Sequence, residues 1–321
     1  MKGLGVSARL ASPYRSSLGW LLLPFFTSLI LFWLIPLSTG LKRSLHEDPA
    51  AIAAHSTGAP ASGLTLKNYR DLWADSQYRK AFANTLVYGT SSILIIIPLA
   101  FFLAHLLQLS HRSLRSLLTF GLVLPALAPP VILGILFLMV FHGRFGLLNT
   151  LCVYPLQQAL QMLQEGGAGP VPIHWLKDPA FIMPAMILQG VWRWTGFIAL
   201  FFLCGLEAIP KTYYEAARLE GASWLQTIRL VSFPYLKPVI VFAIVYLLID
   251  AFAMFSGAYA LLGGSGGTDN AGLLLVSYAY FTGFKFHEPA YASAISLSVV
   301  PLMLVVIGIV LIIASRREAK A

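Results

Sequence analysis

Residues Tyr213–Pro238 read "YYEAARLEGASWLQTIRLVSFPYLKP", a charged, aromatic stretch flanked on both sides by apolar runs long enough to cross a membrane. Pro210 just upstream suits a helix start. Thr212 with Glu215 three residues on fits a capping box, and Gly221 suits the left-handed position that ends a short helix. Ser223 with Gln226 repeats the capping-box spacing, predicting a second helix to about Leu230 before Pro234 stops it or begins the next span. The stretch therefore predicts a helix-turn-helix. Helices of two or three turns are marginal in water, because nucleation costs more than a few hydrogen bonds return. Ala216, Ala217 and Gly221 offer a low-relief surface, and Tyr213, Tyr214, Trp224 and Leu225 offer apolar anchors. What covers them is either the ends of the protein's own spans or a separate partner.

Working outward, six apolar runs fall at about 18–39, 82–107, 117–141, 181–206, 236–261 and 290–314, each near the roughly 20 residues a spanning helix needs. Hydrophobic residues make up 58% of the 321 residues, charged residues 11%, and mean hydropathy is +0.76, which a water-solvated globule could not sustain. The expectation is an all-α membrane protein, since spanning helices satisfy their own backbone hydrogen bonds. The first run is longer than the roughly 7–15 residues of a signal-peptide core and lacks a small-residue cleavage site, so it predicts a retained anchor. The formal charge of +9 borders the spans, where it sets orientation, and nucleic acid is not an expected partner.

With six spans both termini share a side. That side, which would hold Lys2, Arg9, Arg15, Arg115, Arg229 and Lys237, carries basic residues at about twice the density of the other, predicting cytoplasmic termini. In the first outer loop, Glu47–Gly63 reads as flexible linker, and Tyr69, Trp73 and Tyr78 suit an interfacial approach to the second span. The second outer loop carries "EGGAGPVP" and the third "GGSGGTDN". Cys152 and Cys204 fall in different environments, which argues against a mutual disulfide.

No G-x-x-x-x-G-K-[ST] phosphate loop occurs, so ATP hydrolysis by this polypeptide is not expected. His105, His111, His142, His174 and His287 lie scattered without metal-ligand spacing, and no nucleophile elbow is present, which leaves a membrane enzyme without a readable site. Arg193 and Asp250 fall inside the fourth and fifth runs, where a charge costs at least ~2.5 kcal/mol. They pair with each other, line a solute path, or meet another subunit. The run "LPALAPPVILG", with Pro125, Pro129 and Pro130, predicts a broken or bent third span.

The segment "EAARLEGASWLQTIRLVSFP" resembles the cytoplasmic signature of ABC importer permeases: Glu215, Ala216, Ala217, then Gly221, then Val231, Phe233 and Pro234, with Val and Phe standing where Ile and Leu are usual. The resemblance runs from about Leu64 to the C-terminus and is closest to the sugar-type branch, through "NYRDLW" with "NTLVYG", "FGLLN", "IHWLKDP", "VWRWTGF", "GLEAIPKTYYEAARLEGAS", and "LLGGSGGTDN" with "YASAISL". It implies the type I importer permease fold. Residues 1–81 would hold the N-terminal segment, first helix and outer loop, 82–314 the core with coupling loop 207–235, and 315–321 a cytoplasmic tail.

It further implies that Tyr214, Glu215, Ala216, Ala217, Arg218 and Gly221 couple to a separate ATPase. The implied partners are a second permease, two ATPase subunits carrying ATP and Mg, and an extracytoplasmic solute-binding protein, all at a bacterial inner membrane. No cofactor is implied on this chain. Arg193, Trp194, Asp250, Phe252 and Phe255 are the candidate path residues, with Phe197 and Tyr259 as further rings that could stack on a sugar or simply pack. The branch often has Phe-Gln-x-Phe where this chain reads Phe252, Ala253, Met254, Phe255, so one amide for a sugar hydroxyl is gone. The solute implied is a sugar or sugar-like molecule, with a polyamine, a glycerophospho-compound or another small polar solute as the nearer alternative and an ion-coupled transporter as the remoter one.

Overall fold

The computed structural model describes residues 14–46, 64–163 and 171–318. Lys2, Arg9, the Glu47–Gly63 linker, most of "EGGAGPVP" and the last three residues lie outside the described residues. The described residues form helices and no strand. The first run is one helix, α1, made of Tyr14–Leu29, a π-helical turn Ile30–Leu34, and Ile35–Ser44. Then follow α2 (Lys67–Ala74), α3 (Ser76–Leu109), α4 (Arg112–Leu127), α5 (Pro130–Val140), α6 (Tyr154–Leu163) and α7 (Pro179–Glu207). The remainder comprises α8 (Lys211–Leu219), α9 (Trp224–Thr227), α10 (Lys237–Ala253), α11 (Ser256–Leu261), α12 (Leu275–Tyr280) and α13 (Pro289–Glu318).

Four stretches, Leu21–Ser44, Ser76–Leu109, Pro179–Glu207 and Pro289–Ile312, are single helices long and apolar enough to span, and the count reaches six if each of two bent pairs is one span. The first pair is α4 with α5, bent by 103°. Its cause is the dipeptide Pro129–Pro130: a residue before proline is driven from helical to extended backbone, and Ala128 and Pro129 have ψ of 139° and 133°. The second pair bends by 69° between Trp224–Tyr235 and Lys237–Ala253. The fifth run breaks again at Met254 and Phe255, the latter at φ −135°, ψ −65°, without a proline. That break follows from packing. A Cβ on Gly134 of α5 would stand 2.6 Å from the Ala260 Cβ and 2.9 Å from the Gly257 carbonyl oxygen, so α11 turns out of the α10 axis to lie backbone-close on α5.

Aspartates start two of the long helices: Asp75 accepts from the Gln77 N–H at 2.8 Å and Asp178 from the Ala180 N–H at 3.0 Å. Three core clusters hold the bundle. One joins α3, α7 and α10 through Ile96, Ala100, Ala104, Ile198, Phe202 and Leu247. A second joins α2, α3, α10, α12 and α13 through Leu72, Tyr78, Ala81, Phe252, Leu275 and Ile295. The third gathers Tyr88, Phe137, Phe141, Ile182 and Met186. Small residues at the helix contacts let backbones approach, which matters where lipid supplies no hydrophobic drive between helices.

Tyr78 corrects one expectation. It is buried at 2% exposure and its hydroxyl meets the Ser298 hydroxyl at 2.9 Å, so it belongs to the core and not to an interfacial belt. Trp73 remains exposed, and Tyr69 bonds to Ser44 at 2.8 Å. The helix α3 runs unbroken across residue 81. Both cysteines are free and exposed.

Candidate coupling segment and mid-membrane polar site

The segment after α7 folds as two short helices. Its first, α8, starts at Lys211 behind Pro210, and no side chain caps it, so the Thr212–Glu215 capping box does not form. The reason is register: Pro210, held extended at ψ 135°, takes the cap position, which puts Thr212 inside the first turn. The far end is capped as the glycine predicts. Gly221 has φ +73°, its N–H bonds to the Arg218 carbonyl at 3.1 Å, and the Ala222 N–H reaches the Ala217 carbonyl at 2.9 Å, a Schellman closure.

The Ser223–Gln226 box is present, with the Ser223 N–H donating to Gln226 Oε1 at 2.7 Å and the Gln226 N–H to Ser223 Oγ at 3.4 Å. Helix α9 then continues past Leu230, through a π turn Ile228–Ser232 and Phe233–Tyr235, before the bend at Leu236.

This hairpin is only partly covered. Tyr214 and Ala217 pack on the α3–α7–α10 cluster, the Tyr214 and Ser232 hydroxyls meet at 3.2 Å, and the Tyr213 and Tyr235 rings lie 5.1 Å apart. Trp224 reaches His105 near the end of α3, ring to ring at 6.4 Å. Trp224, Leu225 and Leu230 nonetheless stay 64–69% exposed, and Leu219 is 90% exposed. A cleft of ≈ 510 Å³ opens between α3 and the hairpin, lined by His105, Lys211, Glu215, Arg218 and Trp224 among others. Glu215 and Arg218 therefore line an open recess between the hairpin and the end of α3.

Within the membrane-depth region, Trp194 donates its indole N–H to Asp250 Oδ2 at 2.7 Å. The Arg193 guanidinium carbon lies 4.5 Å from the Trp194 ring centroid, a cation–π contact, and Arg193 makes no ion pair among the described residues. Trp194 thus stands as the link between the two charges. A narrow cavity beside them is lined by Tyr88, Pro130, Gln189, Gly190, Arg193, Trp194, Met254 and Gly257. Both helix breaks reach it, through Pro130 and Met254; irregular backbone at membrane depth is tolerated where it is buried or lines a cavity. Gln189 is 2% exposed with neither amide atom bonded, and Arg193 Nε is also buried without a partner. Such groups carry a desolvation cost until something polar meets them.

Arg193, Trp194 and Asp250 are brought together here. Phe252 lies elsewhere, buried in the cluster of Leu72 and Tyr78, and Phe255 sits half-buried at the break between α10 and α11. Gln189 and Tyr88 were missed in the sequence; a lone amide in an apolar run was the available signal for Gln189. Among the described residues no group of three or more His, Cys, Asp or Glu could hold a metal ion. At the opposite end of the bundle, Asp75 accepts from the Tyr278 and Tyr291 hydroxyls. Burial, then the Asp75 carboxylate, pushes the Tyr278 hydroxyl above its ordinary range and keeps it a donor.

Residues 96–319 match the family described as binding-protein-dependent transport system inner membrane component. The chain belongs to that family. It is 30% identical over 285 residues to the arabinooligosaccharides transport system permease protein AraP of Bacillus subtilis, covering 88% of this chain and 83% of that one. It is 29% identical to the lactose transport system permease protein LacF of Rhizobium radiobacter, covering 97% and 100%. With the xylose/arabinose import permease protein XacH of Haloferax volcanii it shares 34% over 77% of this chain and 73% of that one. In fold it is similar to a chain in the crystal structure of a bacterial ABC transporter involved in the import of the acidic polysaccharide alginate, with a TM-score of 0.76, 19% identity, and coverage of 94% and 96%. This inner membrane component is a multi-pass permease subunit of an ATP-binding-cassette importer, a non-catalytic chain whose system hydrolyses ATP on a separate subunit.

Proposed function

We propose that this permease forms half of a translocation path for a sugar or sugar-like solute, switched between inward and outward access by an ATPase docked on the α8–α9 hairpin. The observation that carries the coupling role is the partial covering of that hairpin: Tyr214 and Ala217 pack on the α3–α7–α10 cluster, while Leu219, Trp224, Leu225 and Leu230 stay exposed around an open cleft lined by Glu215 and Arg218. Motion of a docked partner would pass to the spans as rigid-body rotation. Tyr214, Glu215, Ala216, Ala217, Arg218 and Gly221 are the coupling residues in this reading.

The solute class is supported by the relatives named for arabinooligosaccharides, lactose and xylose/arabinose. Arg193, Trp194 and Asp250, with the unbonded Gln189 amide, are the polar groups suited to meet a polyhydroxylated solute at mid-membrane. A second permease supplies the other half of the path, two ATPase subunits bind ATP and Mg, and an extracytoplasmic binding protein delivers the solute. Both termini lie in the cytoplasm.

Because Glu215 makes neither a cap nor an ion pair among the described residues, its charge is free for a partner. Glu215→Arg is expected to leave membrane insertion and yield unchanged while abolishing co-purification of the ATPase and solute uptake, with Glu215→Gln retaining part of both. Normal ATPase recovery with Glu215→Arg sinks the coupling assignment, and uptake of a polyamine or a glycerophosphodiester in place of any sugar sinks the solute class.

A further inference from the structure

From the mid-membrane cavity a series of rings leads away toward the end of the bundle opposite the hairpin. Phe255 follows Met254, which lines that cavity. The Phe255 ring lies 4.9 Å from Tyr280, and Tyr280 lies 4.9 Å from Phe284, with Tyr259 flanking Phe255 at 5.2 Å and Tyr280 at 5.7 Å. Phe255, Tyr259 and Tyr280 are half-buried, and Phe284 is 71% exposed, so the series surfaces at its far end.

Neither the Tyr259 nor the Tyr280 hydroxyl bonds to any described residue. The neighbouring loop comes close to the first of them without bonding its hydroxyl. Gly264 stands at φ +73°, where a Cβ would come 3.1 Å from the Tyr259 hydroxyl, and its carbonyl is held by Lys285 Nζ at 2.7 Å. The same ammonium lies 4.3 Å from the Phe281 ring centroid.

A ring that faces hydrocarbon gains nothing from a hydroxyl, since an unbonded hydroxyl away from water costs free energy. Flat apolar faces with free hydroxyls at their rims match a sugar ring, which presents C–H faces and hydroxyl edges. We infer that Phe255, Tyr259, Tyr280 and Phe284 form an aromatic track that receives sugar rings at the outer mouth and passes them to the mid-membrane cavity. This rests on the reading of the solute as a sugar. It assigns the outer half of the path on this chain to stacking and the inner half to the polar groups around Trp194.

The test uses the intact transporter, with its second permease, ATPases and binding protein, carrying Cys152→Ser and Cys204→Ser to remove the two exposed thiols. Uptake of arabinotriose, lactose and maltotriose first selects a transported sugar. Tyr280→Cys and Phe284→Cys are then labelled with a membrane-impermeant methanethiosulfonate, with and without binding protein loaded with that sugar. The expected result is labelling of both positions, slowed several-fold by the loaded binding protein. In parallel, Tyr259→Phe and Tyr280→Phe keep the rings and are expected to raise the KM for uptake roughly threefold to tenfold with kcat little changed.

Three outcomes overturn the track while leaving the sugar reading intact: disulfide capture of Phe284→Cys by the second permease, reaction with lipid-soluble maleimide alone, or a KM unmoved in both phenol variants without protection. Absence of uptake of all three sugars, alongside uptake of a non-sugar solute, overturns the solute class and the track with it.

Discussion

Trp194 carries two interactions that the charges on either side of it would otherwise lack. Its N–H satisfies one oxygen of Asp250 and its ring faces the Arg193 guanidinium. Replacing it with Phe keeps a ring for the cation and strips the carboxylate of its donor, a loss of about 1.5–3 kcal/mol for a hydrogen bond to a charged group. Trp194→Phe is expected to lower the Tm of the detergent-solubilised complex, and Trp194→Phe combined with Asp250→Leu to lose less than the two single changes added together. Additive losses would mean that the bond contributes nothing to stability. Arg193 and Asp250 stood out in the sequence because charge is rare within a span, but a direct pair between them was one of three open readings. A tryptophan standing between them has no signature in a linear chain.

Helix limits show why some elements were legible and others were not. The Ser223–Gln226 box and Gly221 act within a turn of themselves, and the structure reproduces the cap at Ser223 and the closure at Gly221. Thr212 had the right spacing and failed, since Pro210 claimed the cap position two residues earlier. The Pro129–Pro130 break was readable for a similar local reason, and the break at Met254–Phe255 was not, because its cause is the contact of α11 with α5 across Gly134. Gly134→Leu tests that cause. The inserted side chain overlaps Ala260 and the Gly257 backbone, and overpacking of this kind costs about 1–3 kcal/mol or more. The variant is expected to insert normally yet elute as a broadened, protease-sensitive species in size-exclusion chromatography, with Gly134→Ala intermediate; a wild-type profile for Gly134→Leu would show that the two short helices do not depend on each other.

For the whole molecule, composition and the lengths of the apolar runs were enough to specify an all-α membrane protein, because continuous runs of about 20 apolar residues satisfy their backbone in lipid as helices, whereas barrel strands alternate in polarity. The proposed orientation, drawn from the basic-residue asymmetry, predicts that a fluorescent protein fused after Ala321 will fold and fluoresce in the cytoplasm, and that alkaline phosphatase inserted within residues 47–63 will be active on the other side. The reverse pattern would invert the proposed orientation and remove the hairpin from the compartment of the ATPase. Period, caps and prolines are local properties, so membrane class, most helix limits and the hairpin could be read along the chain. Which charges meet, where α10 breaks, why Tyr78 is core, and how the rings from Phe255 to Phe284 come into series depend on residues far apart in sequence. Close helix packing brings those residues together, and only the tertiary structure contains it.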